Sequence, residues 1–160
     1  MEEFGLFLGV AKENIRAVQV DYDQLAGEWW YAETDFQKPR RERYIDYEEG
    51  ALTVSDGKAQ IVRELLGSQN GRSLLIGDGT SDLLASHTVD LFVGFGGVVQ
   101  RQRVQAESPI FLLNPSLAPV LALAAGPAGV RQVEGTPHEA VFLRAFTVIN
   151  SGAFNFNNER

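Results

Sequence analysis

The chain has 160 residues, of which 44% are hydrophobic, so it is long and apolar enough for one domain with a buried core. Its 14 lysines and arginines against 21 aspartates and glutamates give a formal net charge of −7, which argues against a general nucleic-acid binder. The absence of cysteine excludes disulfides and thiolate metal sites, and two histidines are too few for a histidine-rich zinc site.

Local segments do not indicate membrane or nucleic-acid contact either. No apolar run reaches membrane-spanning length, and the N-terminus lacks the basic start and apolar core of a signal peptide. The basic cluster at residues 38–43 includes Glu42 and is followed by Asp46, a mixture typical of a solvated loop. We therefore expect a cytoplasmic protein that binds neither membranes nor nucleic acids.

The first 50 residues predict a β-hairpin. Apolar residues crowd positions 4–10 and indicate a short helix that ends at Gly9. Residues 15–20 alternate between apolar and polar, and residues 28–33 are aromatic and strand-like, with a turn at Gly27 between them. Residues 34–50 are charged and lack periodicity, which is typical of a long loop.

Helix and strand patterns alternate from residue 56 to residue 125. Helical patterns occupy residues 56–66, 81–86, 98–105 and 117–125, and short apolar runs typical of buried strands occupy residues 73–76, 90–95 and 110–113. Pro119 lies in the first turn of the last helix, where proline is tolerated. This alternation predicts an α/β, Rossmann-like parallel sheet with helices on both faces.

The C-terminal segment predicts an appended helix. Glycine and proline in residues 126–135 indicate a linker, and Thr136, Pro137 and Glu139 form the start signal of an amphipathic helix that continues to Ile149. Residues 154–158 are interpreted as a loose tail. The predicted organisation is therefore an α/β domain over residues 1–126, followed by a linker, a helix and a tail over residues 127–160.

One turn between a strand and a helix has the residues expected of a ligand site. Gly77 and Gly79 flank Asp78, so the chain can turn sharply there and approach a ligand with its backbone. Asp82 follows in the first turn of the next predicted helix. Two carboxylates at this position could seat Mg²⁺, which prefers oxygen ligands, and α/β proteins bind ligands at the carboxyl ends of strands.

Three segments together resemble the C-terminal half of haloacid-dehalogenase-type phosphatases, and phosphoserine phosphatases in particular. They are Gly57-Lys58-Ala59, the Gly-Asp-Gly-Thr-Ser-Asp turn at residues 77–82, and Phe-Val-Gly-Phe-Gly-Gly at residues 92–97. The resemblance covers roughly residues 4–123, and the predicted hairpin lies where that family has one, just before its lysine. It implies Mg²⁺-dependent hydrolysis of a phosphorylated small molecule similar to phosphoserine.

The resemblance also implies a role for each matching residue. Lys58 would steady the phosphate and the nucleophilic aspartate, and Asp78 would be the Mg²⁺ ligand. Asp82 would support either the water shell of the metal or the lysine. Ser81, with Gly79 beside it, would lie near the substrate. A cation and a lysine are suited to neutralising the charge that develops on a transferring phosphoryl group.

The chain departs from the family at the nucleophile. Family members carry an Asp-x-Asp-x-Thr/Val motif after their first strand, and the first strand and the cap are expected to be missing here. Asp21-Tyr22-Asp23 follows a strand pattern, but Leu25 stands where the motif needs threonine or valine. The segment up to Lys58 also leaves no room for the helix and phosphate-binding strand of that fold. We therefore interpret this segment as part of the hairpin, and expect the isolated chain to be inactive and to bind Mg²⁺ weakly.

Two functional hypotheses follow. In the first, the chain is a phosphatase half-site that needs a second segment or chain. In the second, it is a non-catalytic binding or assembly domain, whose exposed sheet edge is covered by a second copy, a partner chain or the helix at residues 137–149. His87 is interpreted as a surface or helix-end histidine. Arg101 and Arg103 follow Gly96-Gly97 and could reach an anion, but we interpret them as solvated helix positions.

Overall fold

The computed structural model of the chain describes residues 2–18, 50–54, 56–68 and 71–157. The chain divides into two compact units, Met1–Gly57 and Lys58–Arg160. The predicted hairpin lies almost wholly outside the described residues. So do the basic cluster at residues 38–43 and the Asp21-Tyr22-Asp23 segment.

The described part of the first unit contains a short helix. Helix α1 spans Glu2–Phe7, and single helical turns of the 3₁₀ type span Lys12–Asn14 and Ala51–Thr53. Gly9, with φ of +80°, follows α1, as the prediction that the helix ends there requires. The Lys12 Nζ atom lies 2.8 Å from Glu2 Oε1, so a surface ion pair joins the start of α1 to the helical turn at Lys12–Asn14.

Helices and strands alternate from Gly57 onward, almost wholly within the second unit. In chain order they are α2 (Gly57–Leu66), β1 (Leu74–Gly77), α3 (Thr80–Ala85), β2 (Leu91–Phe95), α4 (Gln102–Glu107), β3 (Ile110–Leu112), α5 (Ala118–Val133), α6 (Glu139–Asn150) and β4 (Phe154–Phe156). Within the described ranges, no helix combines the length and the apolar character needed to cross a membrane.

The four strands form one sheet in the order β1-β2-β3-β4. The first three strands are parallel, with Ile76 opposite Val93 and Val93 opposite Ile110, whereas β4 pairs antiparallel with β3. The structure therefore confirms an α/β fold with a mostly parallel sheet, which is consistent with the predicted Rossmann-like architecture.

Apolar side chains from alternate strand positions fill both faces of the sheet. On one face, Phe92 and Phe111 pack with Leu83 of α3 and Val104 of α4. On the other face lies a second cluster, to which strands, α5 and α6 contribute: Leu74, Ile76, Leu91, Val93, Phe95, Ile110, Leu112, Val120, Leu123, Val148, Ala153 and Phe154. Helices thus cover both faces, as the sequence pattern predicts.

Two predictions for the C-terminal segment are wrong. Residues 126–135 are not a linker, because α5 continues to Val133 across a kink at Gly126, whose φ is +61°. The tail is not loose over residues 154–156, because these residues form β4. Helix α6 also begins at Glu139, later than predicted, while the Thr136 hydroxyl accepts a hydrogen bond from the His138 amide at 3.3 Å.

Candidate functional site

The loops that follow β1 and β2 meet at one edge of the sheet. Strand β1 ends at Gly77 and is followed by Asp78 and Gly79, and β2 ends at Phe95. Gly77 lies opposite Gly94 in a parallel register, so both strands present their carboxyl ends to the same edge. This is the edge at which open α/β sheets bind ligands.

A lysine–aspartate pair forms the buried part of this edge. The Lys58 ammonium, in the first turn of α2, donates a hydrogen bond to Asp82 Oδ1 at 2.5 Å. The Gly79 amide donates to the other carboxylate oxygen of Asp82 at 3.0 Å. The Asp82 side chain is only 12% exposed, against 37% for Lys58, so the carboxylate is held from two sides in a sheltered position.

Gly77 makes room for this carboxylate. A Cβ atom at Gly77 would lie 2.2 Å from Asp82 Cβ and 2.3 Å from its Cγ, far inside contact distance. The Asp82 side chain therefore packs directly against the last residue of β1. The glycine before Asp78 is required by this close approach; its backbone does not need a positive φ.

The second aspartate is more open. The Asp78 side chain is 49% exposed, and its Oδ2 atom lies 3.6 Å from Nη2 of Arg101. Arg101 immediately precedes α4 in extended backbone conformation, so it reaches Asp78 from the loop that follows β2. The two loops are thus linked by an ion pair between half-exposed side chains.

The loop after β2 packs tightly against β3 and its continuation. A Cβ atom at Gly96 would lie 2.5 Å from the Phe111 ring, and one at Gly97 would lie 2.6 Å from the carbonyl oxygen of Asn114. The Gly96 amide also donates to the Leu112 carbonyl at 2.8 Å. This packing fixes the segment from which Arg101 extends.

Gly79 and Ser81 lie beside the pair. Gly79 occupies the position before the first residue of α3, with extended φ and ψ of −104° and 162°. Ser81 is the second residue of α3 and is half-buried. Their contact with a substrate stays a prediction.

At this edge of the sheet, the Asp78 carboxylate is the group that could bind a hard cation directly. Both oxygens of Asp82 already accept hydrogen bonds, whereas Asp78 is half-exposed. Within the described ranges, no three acidic or imidazole side chains cluster closely enough to hold a metal ion. A Mg²⁺ ion here would therefore use Asp78 and keep several waters, as this ion commonly does.

The predictions for Arg103 and His87 agree with the structure, whereas the preferred prediction for Arg101 does not. Arg103 is a solvated helix residue that pairs with Glu107 at 2.9 Å, as expected. His87 is on the surface, where its ring contacts Arg63 and the Leu84 carbonyl. Arg101 lies outside the helix and approaches Asp78, so the predicted solvated helix position is wrong for this residue, and the alternative, contact with an anionic group from its position after the Gly-Gly strand end, is observed.

Comparison with known proteins gives no relative: no protein-family model, curated protein or solved structure matches the chain.

Proposed function

We propose that this chain is the C-terminal part of a haloacid-dehalogenase-type phosphatase, related to phosphoserine phosphatases, and that it carries half of a phosphomonoester hydrolysis site. Lys58 would contact the phosphate, and Asp78 would hold Mg²⁺. Asp82 would position the lysine. A phosphorylated small molecule similar to phosphoserine is the proposed substrate.

The observation that supports this proposal most is the Lys58–Asp82 pair beside Asp78 at the carboxyl edge of a parallel sheet. These residues come from separate elements, since Lys58 is on α2, Asp78 follows β1 and Asp82 is on α3. The 2.5 Å contact joins two residues for which the family resemblance implies a shared site.

Lys58 is suited to binding a phosphoryl group while it remains paired. An ammonium group has three donor hydrogens, and Asp82 Oδ1 takes one of them, so further donors remain for an anion. The carboxylate fixes the direction of the lysine side chain before the substrate arrives, which lowers the ordering cost of binding. A Mg²⁺ ion held by Asp78 would neutralise negative charge on the phosphate.

The proposal requires a nucleophilic aspartate from outside the described residues. Of the described strands, β1 pairs with β2 alone, so a further strand parallel to β1 on its other side would bring its carboxyl end next to Asp78. Such a strand could belong to a preceding segment or to a second chain. Asp21 is the in-chain alternative, which mutation can test.

The test combines phosphate binding with hydrolysis. Binding of inorganic phosphate in the presence of Mg²⁺ is measured by calorimetry for the full chain and for the Lys58→Met, Asp78→Asn, Lys12→Met and Asp90→Asn variants. We expect Lys58→Met and Asp78→Asn to weaken phosphate binding about tenfold or more. The first removes a charge-assisted contact with the phosphate, and the second removes the carboxylate that would hold Mg²⁺. The last two variants should have no effect, since Lys12 forms an exposed ion pair with Glu2 and Asp90 precedes β2 at the opposite edge of the sheet.

Hydrolysis of phosphoserine and p-nitrophenyl phosphate then locates the nucleophile. Phosphate binding without turnover supports a half-site that another segment completes. Turnover that Asp21→Asn abolishes would place the nucleophile inside this chain and refute the hairpin interpretation. Phosphate binding that Lys58→Met leaves unchanged would refute the phosphatase proposal.

A binding or assembly role is the second candidate, and an apolar groove favours it. A cavity of about 520 Å³ lies between α5 and α6, lined chiefly by apolar residues that include Leu123, Val130, Phe146 and Ile149. Phe146, which lines this groove, is 36% exposed. Apolar surface of this kind is typical of interaction sites. Sedimentation velocity over a concentration series tests for self-association, and Phe146→Glu should abolish it.

A further inference from the structure

The charges at the carboxyl edge of the sheet cancel within the described residues. Asp82 is paired with Lys58, and Asp78 lies beside Arg101. Two negative and two positive side chains therefore stand close together. A divalent cation entering this edge finds no net negative charge to attract it while both pairs are intact.

The two pairs differ in how easily they separate. The Lys58–Asp82 contact is 2.5 Å long and includes a side chain that is 12% exposed, whereas Arg101 lies 3.6 Å from Asp78 and the two side chains are 52% and 49% exposed. The longer contact exceeds hydrogen-bond distance, and both groups remain hydrated. Arg101 can consequently leave Asp78 at little cost.

We propose that Arg101 is the internal counter-ion of Asp78 and that a divalent cation displaces it. The guanidinium and the cation therefore compete for the Asp78 carboxylate. This inference rests on the proposed function only in taking Asp78 as the cation ligand. Displacement of Arg101 leaves Asp78, Asp82 and Lys58 with one net negative charge, which favours cation binding.

The expected effect on affinity follows from Coulomb repulsion. A single and a double positive charge about 5 Å apart in water repel each other enough to change a binding constant by about tenfold. Screening by salt and rotation of the exposed arginine reduce this effect. Removing the guanidinium should therefore tighten divalent-cation binding about three- to tenfold.

Arg103 provides a matched control. It is two residues from Arg101 and similarly exposed, and its side chain pairs with Glu107 at 2.9 Å on the surface of α4. Arg101→Gln and Arg103→Gln change the net charge of the chain equally. An effect of general electrostatics would appear in both variants, whereas competition at Asp78 would appear in the first alone.

The experiment measures dissociation constants for Mg²⁺ by calorimetry, and for Mn²⁺ by electron paramagnetic resonance, in the wild-type chain, both glutamine variants and Asp78→Asn. Circular dichroism checks that each variant is folded. In the wild-type chain, the Arg101 Nε–Hε resonance is followed during the Mg²⁺ titration. We expect tighter binding in Arg101→Gln alone, and an Arg101 resonance that shifts with the same dissociation constant.

The outcomes separate this inference from the proposed function. Cation binding that is lost in Asp78→Asn but is equal in the wild-type chain and Arg101→Gln overturns the inference and leaves the cation ligand intact. Equal tightening in both glutamine variants also overturns it. Cation binding that Asp78→Asn leaves unchanged overturns both the role of Arg101 and the assignment of Asp78 as the cation ligand. The absence of cation binding in every variant at tens of millimolar cation overturns both as well.

Discussion

Replacing Lys58 by methionine should lower the free energy of unfolding by about 2 kcal/mol, because it leaves a sheltered carboxylate without its cation. Methionine keeps a long apolar side chain along α2, so the main loss is the 2.5 Å hydrogen bond to Asp82. The 12% exposure of the Asp82 side chain prevents water from replacing the ammonium fully.

The magnitude lies between two limits. A fully buried pair broken on one side costs roughly 3–5 kcal/mol, and an exposed pair is worth roughly 0–1 kcal/mol. Lys58 is 37% exposed, which places this pair between them. The Gly79 amide still binds Asp82 in the variant, at 3.0 Å in the wild-type chain, and reduces the loss. For a chain of this size, about 2 kcal/mol corresponds to a fall in Tm of roughly 4–8 °C.

The assay is urea denaturation followed by circular dichroism, with a double-mutant cycle that adds Asp82→Asn. We expect a coupling energy of about 1–3 kcal/mol between the two positions. Lys12→Met is the control, since its pair with Glu2 is exposed, and it should have little measurable effect. A Lys58→Met variant as stable as this control, with no coupling to Asp82, would contradict the sheltered ion pair.

Three further changes test the surroundings of the site and the far edge of the sheet. Gly77→Ala should cost about 1–3 kcal/mol, because the new Cβ atom would lie 2.2 Å from Asp82 Cβ. Asn157→Ala should cost about 1–2 kcal/mol, because its amide donates to two carbonyls at the end of α4, each at 2.7 Å. Asp90 should stabilise the fold fully above its ordinary pKa of 3.8 and progressively less as the pH falls below it, because hydrogen bonds from the Ser73 amide and hydroxyl lower the pKa of its carboxyl in the folded state.

Each of these has a measurement that would contradict it. Gly79→Ala is the control for Gly77, since its Cβ atom would come no closer to its neighbours than 3.2 Å, from Asp82 Oδ2; equal urea midpoints for both variants would contradict the close approach. Asn155→Ala, at an exposed position of β4, is the control for Asn157. For Asp90, the stability difference between wild type and Asp90→Asn is measured from pH 7 to pH 2. It should disappear as the pH falls through the lowered pKa, and a constant difference would refute the assigned hydrogen bonds.

The strands and the turn at Asp78 were predictable because their sequence pattern is local. Leu74, Leu75 and Ile76 form a continuous apolar run, and such runs bounded by glycine are typical of strands covered on both faces. The predicted bounds of the three parallel strands differ from the observed ones by one residue at an end or at both ends. Alternation with helices then limited the fold to a parallel sheet.

The C-terminal elements were mispredicted because their signals have two interpretations. Gly126 breaks helical geometry, but Pro127 directly afterwards occupies a first-turn position where its missing amide costs nothing, so the helix resumes. Phe154 and Phe156 alternate with asparagine in a short segment that resembles a tail. Pairing with β3, which lies far away along the chain, makes this segment a strand.

The site was predictable only in part. Spacing and resemblance brought Lys58, Asp78 and Asp82 together as candidates, and the structure places Lys58 against Asp82. The contact between Arg101 and Asp78 depends on the register of β1 and β2 and on the conformation of two loops. The position of Arg101 after Gly96-Gly97 indicates that its side chain can reach an anion, but the sequence does not identify Asp78 as the partner.

The antiparallel strand β4 gives this sheet an order of assembly. Strands β1, β2 and β3 pair through short crossovers, whereas β4 meets β3 only after the chain has passed through α5 and α6. Contacts between distant segments form slowly, since closing the intervening loop costs entropy. During synthesis on the ribosome, the outer edge of β3 therefore stays open until β4 has emerged after α6, and this is the interval in which a nascent chain is most exposed to aggregation through strand pairing.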